Sequence, residues 1–134
     1  MILVDTSAWV EFLRATGSPT HQELRKLIQK DAVLLTTDVV IMELGAGAQN
    51  ENRASELRRF LLGFEHTPVR GLADFEAAAA IYRDCRRRGF TPRALNDCLI
   101  AAIAIREQCE VLHHDRAFEG IARCSGLRLY ALRS

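Results

Sequence analysis

Short segments with an apolar centre alternate along the chain with longer segments in which apolar residues recur at helical spacing. Four short segments are predicted to be strands, at residues 2–5, 32–37, 110–115 and 127–132, and residues 67–70 form a further extended piece. The segments between them are long enough for one or two helices each. The chain is therefore predicted to alternate strands with helices.

The intervening segments have the apolar spacing of amphipathic helices. The first helix ends at Gly17, and the second starts at Pro19, where Thr20 and Glu23 have the spacing of a capping box. Asp38 is predicted to cap the third helix. The third and later helices are predicted at residues 39–48, 55–64, 73–88, 97–108 and 116–124.

Strands that alternate with helices favour a parallel sheet, because each return to the start of the next strand needs a crossover. Right-handed crossovers then place helices on both faces of the sheet. We predict an α/β fold, a three-layer α/β/α sandwich around a central, mainly parallel sheet. The chain of 134 residues has no repeat and no linker, so residues 1–134 are predicted to form a single domain.

Composition restricts the chemistry more than it selects a function. The formal net charge of +1 neither requires nor excludes an anionic partner, and the four cysteines contain no C-x-x-C pair that would indicate zinc. The amino terminus lacks the basic segment of a signal peptide, and no apolar run approaches the length of a membrane span. We therefore expect a cytoplasmic protein with free thiols and no membrane partner.

Four acidic residues occupy positions at which α/β sheets carry functional groups. Asp5 and Asp115 end two predicted strands, Asp97 starts a helix, and Glu43 lies within an apolar helix. Ligands of open α/β sheets bind beyond the carboxyl ends of the strands. These acids, distant in sequence, are therefore candidates to meet at that edge.

Each of these acids also has a simpler explanation. Asp5 and Asp115 have the position of helix caps, and Asp97 suits the positive end of a helix dipole. Glu43 is surrounded by apolar residues and is predicted to be buried. A buried carboxylate needs a partner, a proton or a metal, and an arginine is the alternative to the metal.

If the four carboxylates converge, their mutual repulsion must be neutralised. Oxygen ligands suit Mg²⁺, with Mn²⁺ as a substitute, and metal-assisted hydrolysis of a phosphodiester requires no histidine or cysteine. We therefore predict that the same four residues are metal ligands and catalytic residues: Asp5, Glu43, Asp97 and Asp115.

Polar neighbours surround these acids in the sequence. Thr6 or Ser7 can donate a hydrogen bond that fixes Asp5, or can cap the first helix. Arginines precede Asp97 and follow Asp115, where they would hold a nucleic-acid backbone near the metal or remain solvated charges at helix ends. The candidate RNA-contacting arginines are Arg86, Arg87, Arg88, Arg93 and Arg116.

Four motifs carry a resemblance to a known family. They are M-I-L-V-D-T-S-A-W at the start, M-E-L after the second predicted strand, N-D-C-L-I-A-A-I-A, and V-L-H-H-D-R-A-F-E-G-I-A. Together and in this order they resemble the PIN-domain ribonucleases, and closely the toxin subunits of VapBC-type toxin–antitoxin pairs. The resemblance covers essentially the whole chain.

This resemblance implies a PIN fold and cleavage of RNA, such as tRNA or ribosomal RNA, by an acidic quartet that binds Mg²⁺ or Mn²⁺. Thr6 matches the family's hydroxyl beside the first acid, and Asn96 matches the polar residue before the third. A homodimer and a small inhibitory antitoxin are also implied. Relatives often have an extra acid where this chain has Ala117, so we expect one tightly bound metal and a second recruited with substrate.

Two other functions remain as alternatives. The first is a PIN-like interaction module without catalytic activity, against which the four intact acids argue. The second is a phosphoaspartyl phosphatase or receiver-like domain that uses Asp5. Such phosphatases need a second aspartate two residues later, where this chain has Ser7.

Overall fold

The computed structural model describes residues 1–132, and this part of the chain contains five strands and seven helices. Arg133 and Ser134, the end of the predicted domain, lie outside the described residues. The elements are β1 Ile2–Val4, α1 Thr6–Leu13, α2 Pro19–Gln29, β2 Leu34–Thr37, α3 Asp38–Ala46, α4 Glu51–Leu61, β3 Glu65–Thr67, α5 Gly71–Arg87, α6 Leu95–Arg106, β4 Glu110–Leu112, α7 Ala117–Arg123 and β5 Arg128–Leu129.

The five strands form one parallel sheet in the order β3-β2-β1-β4-β5. The chain adds β2 and β3 on one side of β1 and then returns to add β4 and β5 on the other side. Because such crossovers are right-handed, α1 to α4 cover one face of the sheet and α5 to α7 cover the other. The predicted three-layer α/β/α sandwich with a parallel sheet is confirmed.

The core lies on both faces of β1. Leu3 and Val4 have no exposed surface, and on the helical layers Trp9 of α1 and Ile100 and Ile103 of α6 are equally buried. A central strand buried on both faces gives a rigid base for the residue that follows it. No helix of the described chain has the length and apolarity needed to cross a membrane.

The predicted cap of α2 is wrong. Ser18 is the N-cap, and its side chain accepts a hydrogen bond from the His21 amide at 3.1 Å. Pro19 takes the first helical position, where its missing N–H costs nothing, so the cap falls one residue before it. Glu23 instead accepts a hydrogen bond from the Tyr130 hydroxyl at 2.7 Å.

The predicted cap of α3 is also wrong. Thr37 occupies the N-cap position without a side-chain capping bond, and Asp38 is the first helical residue. The Asp38 carboxylate accepts a hydrogen bond from the Val69 amide at 2.9 Å and lies 2.6 Å from Nε2 of His66. It therefore joins the start of α3 to β3 and the segment that follows it.

Several predicted boundaries move by a few residues. The extended piece at 67–70 lies earlier, in β3, because Pro68 has no N–H to donate to the sheet. The helix predicted at 55–64 starts at Glu51, because the Asn50 side chain caps it by accepting from the Arg53 amide at 2.8 Å. The last strand shortens from 127–132 to two residues.

Candidate active site

The candidate site lies at the carboxyl end of β1. The connections from the adjacent strands β1 and β4 leave in opposite directions along the sheet, to β2 and to β5, so the strand order reverses between β1 and β4. Such a switch point opens a crevice beyond the strand ends, which is the usual ligand site of open α/β sheets. Asp5 follows β1 directly, and its amide donates to the Leu112 carbonyl of β4 at 2.9 Å.

The sequence offered two roles for Asp5, helix cap and metal ligand. Its two carboxylate oxygens leave room for both. Its side chain is 3% exposed, and Oδ2 caps α1 by accepting from the Ser7 amide at 2.9 Å and from the Ser7 hydroxyl at 2.5 Å. Oδ1 is buried and accepts no hydrogen bond within residues 1–132. A buried carboxylate oxygen without a donor is costly and suits an external cation.

Glu43 is less buried than predicted. It is half-buried, and the preceding Met42 is 56% exposed, because α3 covers the sheet with one side only. Its Oε1 accepts a hydrogen bond from the Thr6 hydroxyl at 2.6 Å. The partner of Glu43 is therefore this hydroxyl of α1, in place of the arginine considered from the sequence.

Asp97 lies in the first turn of α6, directly after Asn96, and α6 contacts α3, which carries Glu43. Burial raises the pKa of Asp97 to about 7, and repulsion from Asp5, Asp115 and Glu43 adds to the increase. Acids from three other segments therefore lie within electrostatic reach of Asp97.

The pKa of Asp5 is raised in the same direction. Burial raises it to about 6, although the hydrogen bonds from Ser7 lower it, and repulsion from Glu43 contributes to the increase. Two neighbouring carboxyls whose pKa values are both pushed towards neutrality are typical of a functional site.

Asp115 is exposed and lies in the loop between β4 and α7, because β4 ends three residues earlier than predicted. Its Oδ1 accepts from the Ala117 amide at 2.9 Å. The neighbouring His114 amide donates to the Ser7 hydroxyl at 2.8 Å. Ser7 thus bonds both to Asp5 and to the loop that carries Asp115.

His114 holds this loop, a structural role that the sequence did not indicate. Its Nδ1 lies 3.1 Å from the Thr20 hydroxyl and its Nε2 lies 3.5 Å from Glu11. These contacts join the loop to α1 and α2. No local pattern could have indicated them, since the predicted strand ran through residue 115.

The donor set suits a hard cation. Asp5, Glu43 and Asp115 each act on Asp97 through their charge, and Asp5 Oδ1 has no competing donor among the described residues. Within residues 1–132, no group of three or more histidine, cysteine, aspartate or glutamate residues is arranged to hold a metal ion. Mg²⁺ typically binds through one or two carboxylates and keeps several waters, so the residues present fit it.

The arginines predicted to contact RNA have different surroundings. Arg86 lies 5.8 Å from the centre of the Tyr82 ring, and Arg87 pairs with Asp84 on the same helix. Arg93 and Arg116 line a cleft that also contains Asp115. Arg88 donates to a backbone carbonyl of α7 at 3.2 Å. RNA contact stays a prediction for all five.

The raised pKa values predict that the metal-free protein loses stability as the pH rises. Asp5 and Asp97 bind protons more tightly in the folded protein than in the unfolded chain, so the free energy of unfolding falls between their ordinary pKa of 3.8 and about 7. Asp97→Asn should flatten this decline and raise the melting temperature at alkaline pH. Thermal unfolding in a chelator, from about pH 5 to about pH 8, measures both effects.

The difference between the parent and variant profiles isolates Asp97 in this experiment. Burial lowers the pKa of His113, so that residue makes both proteins more stable as the pH rises. This opposing contribution cancels in the difference. Parallel profiles of the two proteins would contradict the prediction.

Known proteins resemble this chain along nearly its whole length. Residues 2–123 match the PIN domain family. VapC ribonuclease Mb1587 from Mycobacterium bovis is 44% identical over 134 residues, which are 99% of this chain and 100% of that protein. Ribonuclease VapC11 from Mycobacterium tuberculosis has the same identity and coverage.

Solved structures share the fold at lower identity. The crystal structure of VapBC2 from Rickettsia felis, bound to a DNA fragment from its promoter, has a TM-score of 0.75 at 18% identity and covers 97% of this chain and 98% of that one. VapC20 from Mycobacterium tuberculosis, described as a sarcin-ricin loop cleaving toxin, has a TM-score of 0.68 at 18% identity and covers 96% and 99%. Because the family match and the curated relatives both extend over nearly its whole length, the chain belongs to the PIN-domain family and, within it, to the VapC ribonucleases.

Proposed function

We propose that this protein is a Mg²⁺-dependent endoribonuclease, with Mn²⁺ as a substitute, and the toxin of a toxin–antitoxin pair. The observation that carries the proposal is the group of four acids at the end of β1, in which Asp5 keeps a buried oxygen without a donor among the described residues. Two relatives at 44% identity are named as ribonucleases. Hydrolysis of an RNA phosphodiester suits this acidic, oxygen-rich site.

The four acids that would bind the cation lie on different segments of the fold. When bound, the cation would supply an activated water and neutralise charge that develops on the phosphate. Asp5 and Asp97 would hold it, and Glu43 would join them in an orientation fixed by Thr6. Asp115 would approach from its exposed loop.

Hydrogen bonds from neighbouring residues keep these ligands in place. Ser7 fixes Asp5 through two hydrogen bonds and bonds the loop of Asp115 through the His114 amide. Asn96 precedes Asp97 in the first turn of α6 and would contribute as its polar neighbour. When the site holds no cation, the raised pKa of Asp97, about 7, favours its protonated form below neutral pH, which lowers the repulsion on Asp97.

The substrate and partners belong to the same proposal. A structured RNA, such as tRNA or ribosomal RNA, is the proposed substrate. A small antitoxin is the proposed inhibitor, supported by fold neighbours that are VapBC and FitAB complexes. A groove of about 600 Å³ between α1, α3 and α4, which reaches Glu43 and has Val10, Leu13 and Leu57 among its apolar residues, offers a surface for that partner. We also propose a homodimer and a cytoplasmic location.

Neither alternative function has a comparable observation in its favour. A phosphoaspartyl protein needs an accessible nucleophile, whereas Asp5 is 3% exposed and Ser7 occupies one of its oxygens. An inactive interaction module would not need three further carboxylates near Asp97, whose repulsion adds to burial in raising the pKa of Asp97. Hydrolysis therefore remains the function that the site supports best.

The proposal predicts that RNA cleavage depends strictly on a divalent cation. Purified protein should cleave RNA in Mg²⁺ or Mn²⁺, lose this activity in a chelator and regain it when either cation is restored. Sequencing the RNA ends after a pulse of expression, against a matched Asp5→Ala protein, would identify the target. Cleavage that persists undiminished in the chelator would contradict the proposal.

A further inference from the structure

A second cavity lies against the exposed side of Asp115. It is a cleft of about 310 Å³ between the loop that follows α5 and the start of α7. Three arginines surround it, and we refer to it as the arginine cleft. Besides Asp115, the residues that matter for its chemistry are Phe90, Arg93, Arg116, Glu119 and Arg123.

The three guanidinium groups of the arginine cleft are free to bind a ligand. Arg93, Arg116 and Arg123 are exposed, and within residues 1–132 none of their side chains forms an ion pair or a hydrogen bond. Arg87 and Arg106, by contrast, are paired with aspartates. A guanidinium presents several N–H donors in a planar fork that matches phosphate oxygens, so three free forks around one cleft favour a phosphate ligand.

An aromatic ring contributes to the same cleft and is held in place. Phe90 is half-buried, and its amide donates to the Cys85 carbonyl at 2.9 Å. A Cβ atom at Gly120 would lie only 2.6 Å from the Phe90 ring, so the ring packs directly on the backbone of α7. The cleft thus combines fixed aromatic surface with free cationic groups, which is how proteins bind unpaired nucleotides.

We propose that the arginine cleft binds one unpaired nucleotide of the RNA substrate beside the phosphodiester that is cleaved. Arg123 and Arg93 contact its phosphate, and the base lies against Phe90. This inference rests on the proposed ribonuclease function and adds two residues, Phe90 and Arg123, that the sequence did not suggest. An unpaired base is required, because in a duplex the base faces are covered by their neighbours.

Glu119 provides a test of opposite sign. Its exposed carboxylate lines the same cleft and repels a phosphate. Glu119→Gln should therefore strengthen RNA binding, whereas Arg123→Gln should weaken it. Neither change removes a buried group, so the two variants differ in cleft charge while their folding is unaffected.

Binding is measured without turnover, in a chelator, by fluorescence anisotropy of labelled single-stranded oligouridylate and of an RNA duplex. Arg93→Gln and Arg123→Gln should each reduce the slope of log K against log salt concentration by about 0.7 in magnitude. This is the value for one phosphate contact on a single strand. Arg25→Gln, an exposed arginine on α2, is the matched control and should leave it unchanged. Phe90→Leu should weaken single-strand binding by about fivefold or more, with duplex binding unaffected.

Equal effects of Arg123→Gln and Arg25→Gln, or no tightening by Glu119→Gln, would overturn the inference. The inference would also fail if the arginine variants of the cleft bound polyglutamate more weakly than the parent but bound RNA equally well. That result would assign the cleft to an acidic protein segment. Because these measurements use binding without a cation, they are independent of cleavage. If the parent protein shows no cation-dependent cleavage but its cleft binds RNA as described, only the proposed function is refuted.

Discussion

Asp97→Asn should lower the rate of RNA cleavage by more than about a hundredfold, since even outer partners of metal ligands contribute roughly 10–100-fold. The amide keeps the size of the side chain but removes the negative charge that a cation requires. The same change removes the buried charge and the repulsion that together raise the pKa of Asp97. The variant should therefore be inactive and, without metal, more stable than the parent at alkaline pH.

This combination separates a ligand from a structural residue, because loss of a structural residue lowers activity and stability together. Single-turnover cleavage and thermal unfolding on the same preparations measure the two quantities. Asp31→Asn is a suitable control: Asp31 is exposed, precedes β2 at the opposite end of the sheet, and has a φ of 54° that asparagine accepts. A folded Asp97→Asn protein that cleaves at the parent rate would refute the assignment of Asp97.

The parts of the fold that could be predicted are those encoded by local patterns. The run before Asp5 is apolar at every position, and the central buried strand of a parallel sheet requires this. The helix predicted at 73–88 ends at Arg87 in α5, shortly before Gly89, where the backbone takes a φ of +87°. Strands and helices in alternation were then sufficient to predict the layers.

The parts that could not be predicted depend on contacts between distant residues. Ser7 and His114 are 107 positions apart, yet their hydrogen bond connects two of the candidate catalytic segments. Phe90 lines the arginine cleft and its ring packs on Gly120, but each of the two residues has an ordinary local sequence. Hydrophobic periodicity reports which side of an element is buried and contains no information on its partner.

An ion-pair network at the far end of α6 is another such feature. Asp74 is 4% exposed, and its two carboxylate oxygens accept from Nε and Nη2 of Arg106 at 3.1 and 3.0 Å. It also accepts from the Arg70 amide at 2.7 Å, while Arg106 donates to the Pro68 carbonyl at 2.9 Å. The network fastens the segment between β3 and α5 to α6, which carries Asp97 in its first turn.

The pKa of Asp74 reports how strongly this network favours the charged carboxylate. Burial alone would raise it, but the hydrogen bonds from Arg70 and Arg106 and the charge of Arg106 outweigh burial and lower it. A carboxyl with a lowered pKa stabilises the fold above its ordinary pKa of 3.8, and this stabilisation is lost as the pH falls through the folded value.

Asp74→Ala should therefore destabilise the protein at neutral pH by about 3 kcal/mol, near the lower end for breaking a buried ion pair, because Arg106 keeps its other acceptors. Asp84→Ala is the control on the same helix: that side chain is 46% exposed, and its surface pair with Arg87 should contribute about 0–1 kcal/mol. Denaturant unfolding at neutral pH and at about pH 3 measures both variants, and the deficit of Asp74→Ala should narrow in acid. A deficit no larger than that of Asp84→Ala, or one that widens in acid, would show that the network does not hold α6 in place.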